Sequence, residues 1–125
     1  MVRANYLPAP HYFNLNNACA VLVQAFGPHL YLVGSSLVTR EYRDVDIRCI
    51  LPDEEFAHFF PALKTGGSPS RNALWSVMCS AISLQLSQQS SLPVDFQIQS
   101  QTEANAEFDG RRHAIGLFYY RGAET

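Results

Sequence analysis

Lysine is almost missing from this chain: of nine basic residues among 125, eight are arginines and only Lys64 is a lysine. Charged residues of both signs make up 16% and the net charge is −2. That balance supplies no basic surface, which excludes a domain that holds long nucleic acid by electrostatics alone. Small triphosphates or one short acceptor stay compatible, because the planar arginine fork suits bidentate phosphate contacts as well as structural ion pairs. Cysteine is scarce and odd in number. Cys19, Cys49 and Cys79 form no CxxC pair and sit in apolar surroundings, so reduced core thiols and a cytoplasmic setting are expected. No apolar run approaches the length of a membrane span, so no membrane partner is expected. Met1 to Phe13, with Pro8 and Pro10, does not read as a secretory signal. The GxxxxGK[ST] loop of P-loop enzymes is absent, and His11, His29, His58 and His113 show no metal-ligand spacing.

What is present is apolar residue in ordered patterns: 47% of the chain is hydrophobic, enough for one packed domain. The prolines predict an extended lead-in to Leu15, followed by a helix capped at Asn16 or Asn17 and closed by Gly27-Pro28. Leu30 to Val33 reads as a strand that stops at Gly34-Ser35-Ser36, and Asp44 to Leu51 reads as a second strand. Pro52 with Asp53, Glu54 and Glu55 opens a helix whose buried face is Phe56, Phe59, Phe60 and Leu63. A long helix is predicted over Ser70 to Gln89, with Leu74, Val77, Met78, Ala81, Ile82 and Leu86 turned inward. Val94 to Gln99 is a third strand, Thr102 to Phe108 a short helix, and His113 to Tyr120 a last strand or arm. The order predicts an α+β fold, a small mixed β-sheet packed with helices. Residues 18–100 would be its core, 1–17 a lead-in and 101–125 a tail.

The informative stretch is Leu30 to Leu51. Side chains alternate across a strand, so Asp44, Asp46 and Arg48 share one face while Val45, Ile47 and Cys49 share the other. Two carboxylates side by side repel each other, and a divalent cation replaces that repulsion with coordination by hard oxygen ligands. Asp95 stands on a later strand in a matching apolar frame, Val94-Asp95-Phe96, with Gln97 and Gln99 on its face. Each part has a plain reading too: a turn at Gly-Ser, a solvated strand face at Asp-Val-Asp, an edge charge at Asp95.

Taken together, Val33-Gly34-Ser35, the eight residues Ser36 to Arg43, Asp44-Val45-Asp46, and Val94-Asp95-Phe96 resemble the motif set of the DNA polymerase β-like nucleotidyltransferase superfamily. The resemblance covers roughly Ala18 to Ser100, and the whole chain is similar to small nucleotidyltransferase-like proteins encoded by bacteriophages. It implies a polymerase β palm-like fold and transfer of a nucleoside monophosphate from an NTP to a hydroxyl on a protein, RNA end or small molecule. Two magnesium ions about 4 Å apart, replaceable by manganese, would serve that reaction. On this resemblance Asp44 and Asp46 would hold both ions, and Asp95 would hold one and help deprotonate the acceptor. Gly34, Ser35 and Ser36 would meet the phosphates, with ATP among the candidate nucleotides. Arg40 and Arg43 lie in the connector where a triphosphate should sit. Arg48 could meet a phosphate or neutralise Asp46. Arg111 and Arg112 could close over the substrate, and Gln97 and Gln99 could read a base or ribose. Trp75 reads as core. The competing reading is a catalytically inactive module of the same fold that binds a nucleotide or a partner protein. The tail Leu117-Phe118-Tyr119-Tyr120 covers its own core or pairs with a second subunit, which makes a homo-oligomer compatible with the sequence.

Overall fold

Three runs of alternating or continuous apolar residues become the sheet that the rest of the chain packs against. The structure is a computed structural model that describes residues 5–64 and 67–117. Its elements are α1 (Ala9–Phe26), β1 (Leu30–Val33), β2 (Val45–Leu51), α2 (Asp53–Phe59), α3 (Ala73–Ser90), β3 (Val94–Ser100), α4 (Gln101–Glu107) and β4 (His113–Ala114). Short 3₁₀ turns at Ser35–Leu37, Pro61–Leu63 and Pro69–Arg71 join them. The strands form one sheet in the order β3-β2-β1-β4. β1 runs antiparallel to both β2 and β4, and β2 runs parallel to β3, so the sheet is mixed and the fold is α+β. A parallel pair needs a long crossover, and α2 with α3 supplies it.

The inner face of the sheet carries Leu32, Val45, Ile47, Cys49, Leu51, Phe96 and Ile98, packed with Leu15, Cys19 and Val23 of α1 and Leu86 of α3. Leu7, Ala104 and Ile115 are also buried, so residues on both sides of 18–100 contribute to the core. All three cysteines are buried free thiols. Burial pushes Cys19 up to about 12 and Cys79 up to about 11, which leaves them un-ionised and poor nucleophiles at neutral pH.

The lead-in is helical rather than extended. Pro8 is the N-cap of α1 and Pro10 lies in its first turn, where the backbone N–H groups have no partner inside the helix in any case. Asn16 and Asn17 therefore sit inside α1 instead of capping it, and Asn16 Oδ1 accepts from the Gly116 amide at 2.7 Å. α3 starts later than its apolar pattern suggests. Asn72 caps it by accepting from the Trp75 amide at 2.9 Å, after Pro69–Arg71 has formed its own turn. The final strand is only His113–Ala114, and residues 118–120 of the expected arm lie outside the described residues.

The inward face of α3 matches the expected one only in part: Met78, Ile82 and Leu86 pack against the core. Leu74, Val77 and Ala81 are exposed, and the helix turns Trp75, Cys79, Ser83 and Ser87 toward the free edge of β3. Ser83 Oγ donates to Phe96 O at 3.3 Å and accepts from Phe96 N at 2.8 Å; Ser87 Oγ does the same for Val94, at 3.4 and 2.9 Å. Trp75 Nε1 donates to Ile98 O at 2.8 Å. Four helical residues rise about 6 Å and two strand residues about 6.6 Å, so side chains at every fourth position of α3 track alternate residues of the strand. Each satisfied edge amide is worth about 1 kcal/mol. The ladder fixes β3, and with it Asp95, against α3.

Candidate functional site

β1 ends at Val33, whose antiparallel partner is Asp46, and the next residue is Gly34. Gly34 has φ 82°, a backbone conformation that L side chains rarely adopt, and a Cβ at this position would overlap Asp46 Oδ2. The glycine is thus needed twice, for the turn and for the close approach of a carboxylate to the backbone. The chain then folds into the Ser35–Leu37 turn, with Leu37 N donating to Gly34 O at 3.1 Å and Val38 N to Ser35 O at 3.0 Å.

β2 and β3 are in parallel register with Asp46 opposite Asp95 and Arg48 opposite Gln97. Alternation puts all four on the face turned away from Ile47 and Phe96. Asp46 and Asp95, 49 positions apart in the chain, are therefore cross-strand neighbours on one face. Asp44 precedes β2 and is exposed. Arg48, only 5% exposed, lies between the two facing carboxylates. Its Nη2 is 3.2 Å from Asp95 Oδ2 and 3.8 Å from Asp46 Oδ1, and its Nη1 donates to Asp95 O at 2.9 Å and Ile47 O at 3.2 Å. Arg48 is thus an ion-pair residue here, the second of the two roles open to it in the sequence. Its buried Nε has no hydrogen-bond partner among the described residues.

Ser35 is exposed and half-buried Gly34 adjoins it, whereas Ser36 is fully buried with an unpartnered Oγ among the described residues. A hydroxyl in that position does not face a phosphate arriving from solvent. Arg40 and Arg43 are exposed on the connector and form no ion pair among the described residues. Arg111 Nη2 donates to Leu37 O at 2.5 Å, which brings its guanidinium to a cavity of about 240 Å³ lined by Gly34, Leu37, Glu107 and Asp109 among others. Arg112 turns to Asn105 Oδ1 and Phe108 O instead. Gln97 lines a groove of about 430 Å³ with Asp95, Trp75, Ser76 and Ser80, and Gln99 is buried with its Nε2 donating to Glu107 Oε2 at 2.7 Å. Gln99 cannot read a base from there. Glu107 has no signal in the sequence: it stands on α4, after β3, and only the fold brings its charge to bear on Asp46.

No protein-family model, curated protein or solved structure matches this chain. The site has to be read from its own chemistry.

That chemistry centres on Asp46. Burial, opposed by the Arg48 guanidinium and reinforced by the charges of Asp95, Asp44 and Glu107, raises its carboxyl above the usual range. The Asp46 oxygens take part in no hydrogen bond among the described residues, and the nearest cation is 3.8 Å away. A half-buried, crowded carboxylate of this kind suits a hard cation. Among the described residues no three His, Cys, Asp or Glu side chains are gathered to hold a metal unaided. Magnesium seldom uses such a cage, and binds through one or two carboxylates together with substrate phosphates and water. Asp46 and Asp95 fit that need, with Arg48 as the competing cation already between them.

A raised folded-state carboxyl favours the protonated fold, so its stabilising effect is present at acid pH and lost as pH rises through the raised value. Asp46→Asn should therefore raise Tm at neutral pH, with the gain vanishing as the pH falls toward the ordinary carboxylate value of about 4. Thermal melts of both proteins across that range check this. A variant less stable than the wild type at neutral pH would show that the Arg48 pairing outweighs burial.

Proposed function

We propose that this chain is a metal-dependent nucleotidyltransferase of the polymerase β-like kind. In this reading it moves a nucleoside monophosphate from an NTP to a hydroxyl acceptor. The observation that carries the reading is the register pairing of Asp46 with Asp95 beside Gly34, whose missing Cβ leaves room for the Asp46 carboxylate. Asp46 and Asp95, with Asp44 where the chain enters β2, would hold magnesium, which would neutralise the phosphates and ease deprotonation of the acceptor. The chain's own part is positional. Gly34 and the exposed Ser35 would present backbone and hydroxyl to the phosphates, and Arg40 and Arg43 would add charge from the connector. Asp95 borders the groove toward α3, so an acceptor hydroxyl seated there would have a carboxylate to take its proton. Among the described residues no arginine or lysine lines that groove, which favours a protein side chain or a small molecule over a polynucleotide acceptor.

One observation favours a second reading. Arg48 already supplies a positive charge between Asp46 and Asp95, as in a fold kept for binding and no longer for metal catalysis. Incubation with each α-labelled NTP, magnesium and a lysate or acceptor panel separates the two. Label transferred to an acceptor supports the enzyme. Calorimetric binding of the NTP without transfer supports the binding module, and the absence of both transfer and binding argues against a nucleotide ligand.

A further inference from the structure

Three of the α3 residues expected to face inward, Leu74, Val77 and Ala81, lie instead with Leu84 in an apolar stripe on the surface, while Met78, Ile82 and Leu86 do pack inward. Leu74, Val77 and Leu84 are 55%, 65% and 61% exposed, and Ala81 between them is exposed as well. Their spacing of three, four and three is the a/d repeat of a helix–helix seam, not the wider stripe of a helix on a core. The core side of α3 is already filled by Cys79 and Leu86 with Met78 and Ile82, and its strand-edge side by Trp75, Ser83 and Ser87. The outer stripe therefore has no partner within the described fold. A shallow depression of about 440 Å³ follows it, lined by Ser76, Val77, Ser80, Ala81 and Leu84.

Charge tells which partner fits. From Asn72 to Val94 the chain contains no Asp, Glu, Lys, Arg or His. A charged partner surface would be desolvated here with nothing to pair with. A second copy brings a surface that is uncharged by construction, meets no like-charge repulsion on a two-fold axis, and offers the same 3-4-3 seam. Small residues at its middle, Ser80 and Ala81, allow two helices to approach closely.

We infer that the protein forms a homodimer through α3, packed against α3 of a second copy along Leu74, Val77, Ala81 and Leu84. A dimer held by a single helix seam should be weak, with a Kd roughly in the micromolar range. Ser76 and Ser80 line both the seam and the groove beside Asp95, so the second copy would stand at the outer wall of that groove. The inference does not depend on nucleotidyl transfer.

Sedimentation equilibrium over a micromolar concentration series tests it. The expected result is a concentration-dependent rise from 14.0 kDa toward twice that mass. In Val77→Arg and Leu84→Glu, association should weaken at least about tenfold while thermal melts at low concentration stay unchanged, because both side chains are exposed. Phe13→Arg, at an exposed apolar position on α1, should dimerise like the wild type. A wild type monomeric throughout, a dimer that survives both α3 substitutions, or a dimer lost in Phe13→Arg would each overturn the assignment.

Discussion

On the proposed function, Asp46→Ala and Asp95→Ala should each lower the rate of nucleotidyl transfer on the order of 10³-fold, while the far-ultraviolet circular dichroism of the chain stays that of the wild type. The size follows from losing several kcal/mol of charge stabilisation on the transferring phosphate, at tenfold for each ~1.4 kcal/mol. Both side chains are partly solvent-exposed, 25% for Asp46 and 43% for Asp95, so truncation opens no core cavity. If both carboxylates serve one ion, the double variant should lose little more than either single one. Labelled-nucleotide transfer with magnesium or manganese measures this. Full activity in either variant would remove that carboxylate from the reaction.

Arg48→Met should lower Tm by about 10 °C in the absence of divalent metal. Removing one partner from a buried ion pair costs about 3–5 kcal/mol, because the other charge is left uncompensated. Water reaching the half-exposed Asp95 brings the figure toward about 2–3 kcal/mol, and a domain of this length loses roughly 4 °C per kcal/mol. Methionine fills most of the stem's volume, so the loss reports charge and hydrogen bonding more than packing. Magnesium then discriminates between the two functional readings. If the carboxylate pair is a cation site, magnesium should restore more Tm in Arg48→Met than it adds to the wild type, because the competing guanidinium is gone. An equal, negligible shift in both proteins would leave Arg48 as a permanent structural substitute for a metal and would favour the binding module.

The parts of the fold legible in the sequence were those set by local pattern. The apolar run at Leu30–Val33, its stop at Gly34 and the alternation across Val45–Leu51 translate directly into β1, a tight turn and β2. Strand parity alone puts Asp46 and Arg48 on one face. What no local pattern encodes is the parallel pairing that sets Asp46 opposite Asp95, since register belongs to tertiary structure. The same limit hid Glu107, the burial of Gln99 and the inward turn of Ser36. Pro8 and Pro10 misled because proline forbids a helix interior but suits a first turn. α3 misled for a different reason: its strand-edge side is serine and tryptophan, used for hydrogen bonds. A reading that equates inward with apolar therefore finds Met78, Ile82 and Leu86, which pack inward, but adds Leu74, Val77 and Ala81, which lie outside, and misses the serines.

The central claim, that Asp46 and Asp95 form one cation site beside Gly34, is tested most directly by a crystal grown with manganese and a non-hydrolysable nucleoside triphosphate. The expected result is an anomalous peak within coordination distance of both carboxylates, with the triphosphate lying toward Gly34 and Ser35. Bound nucleotide with no peak there, and Arg48 still pairing Asp95, would contradict it.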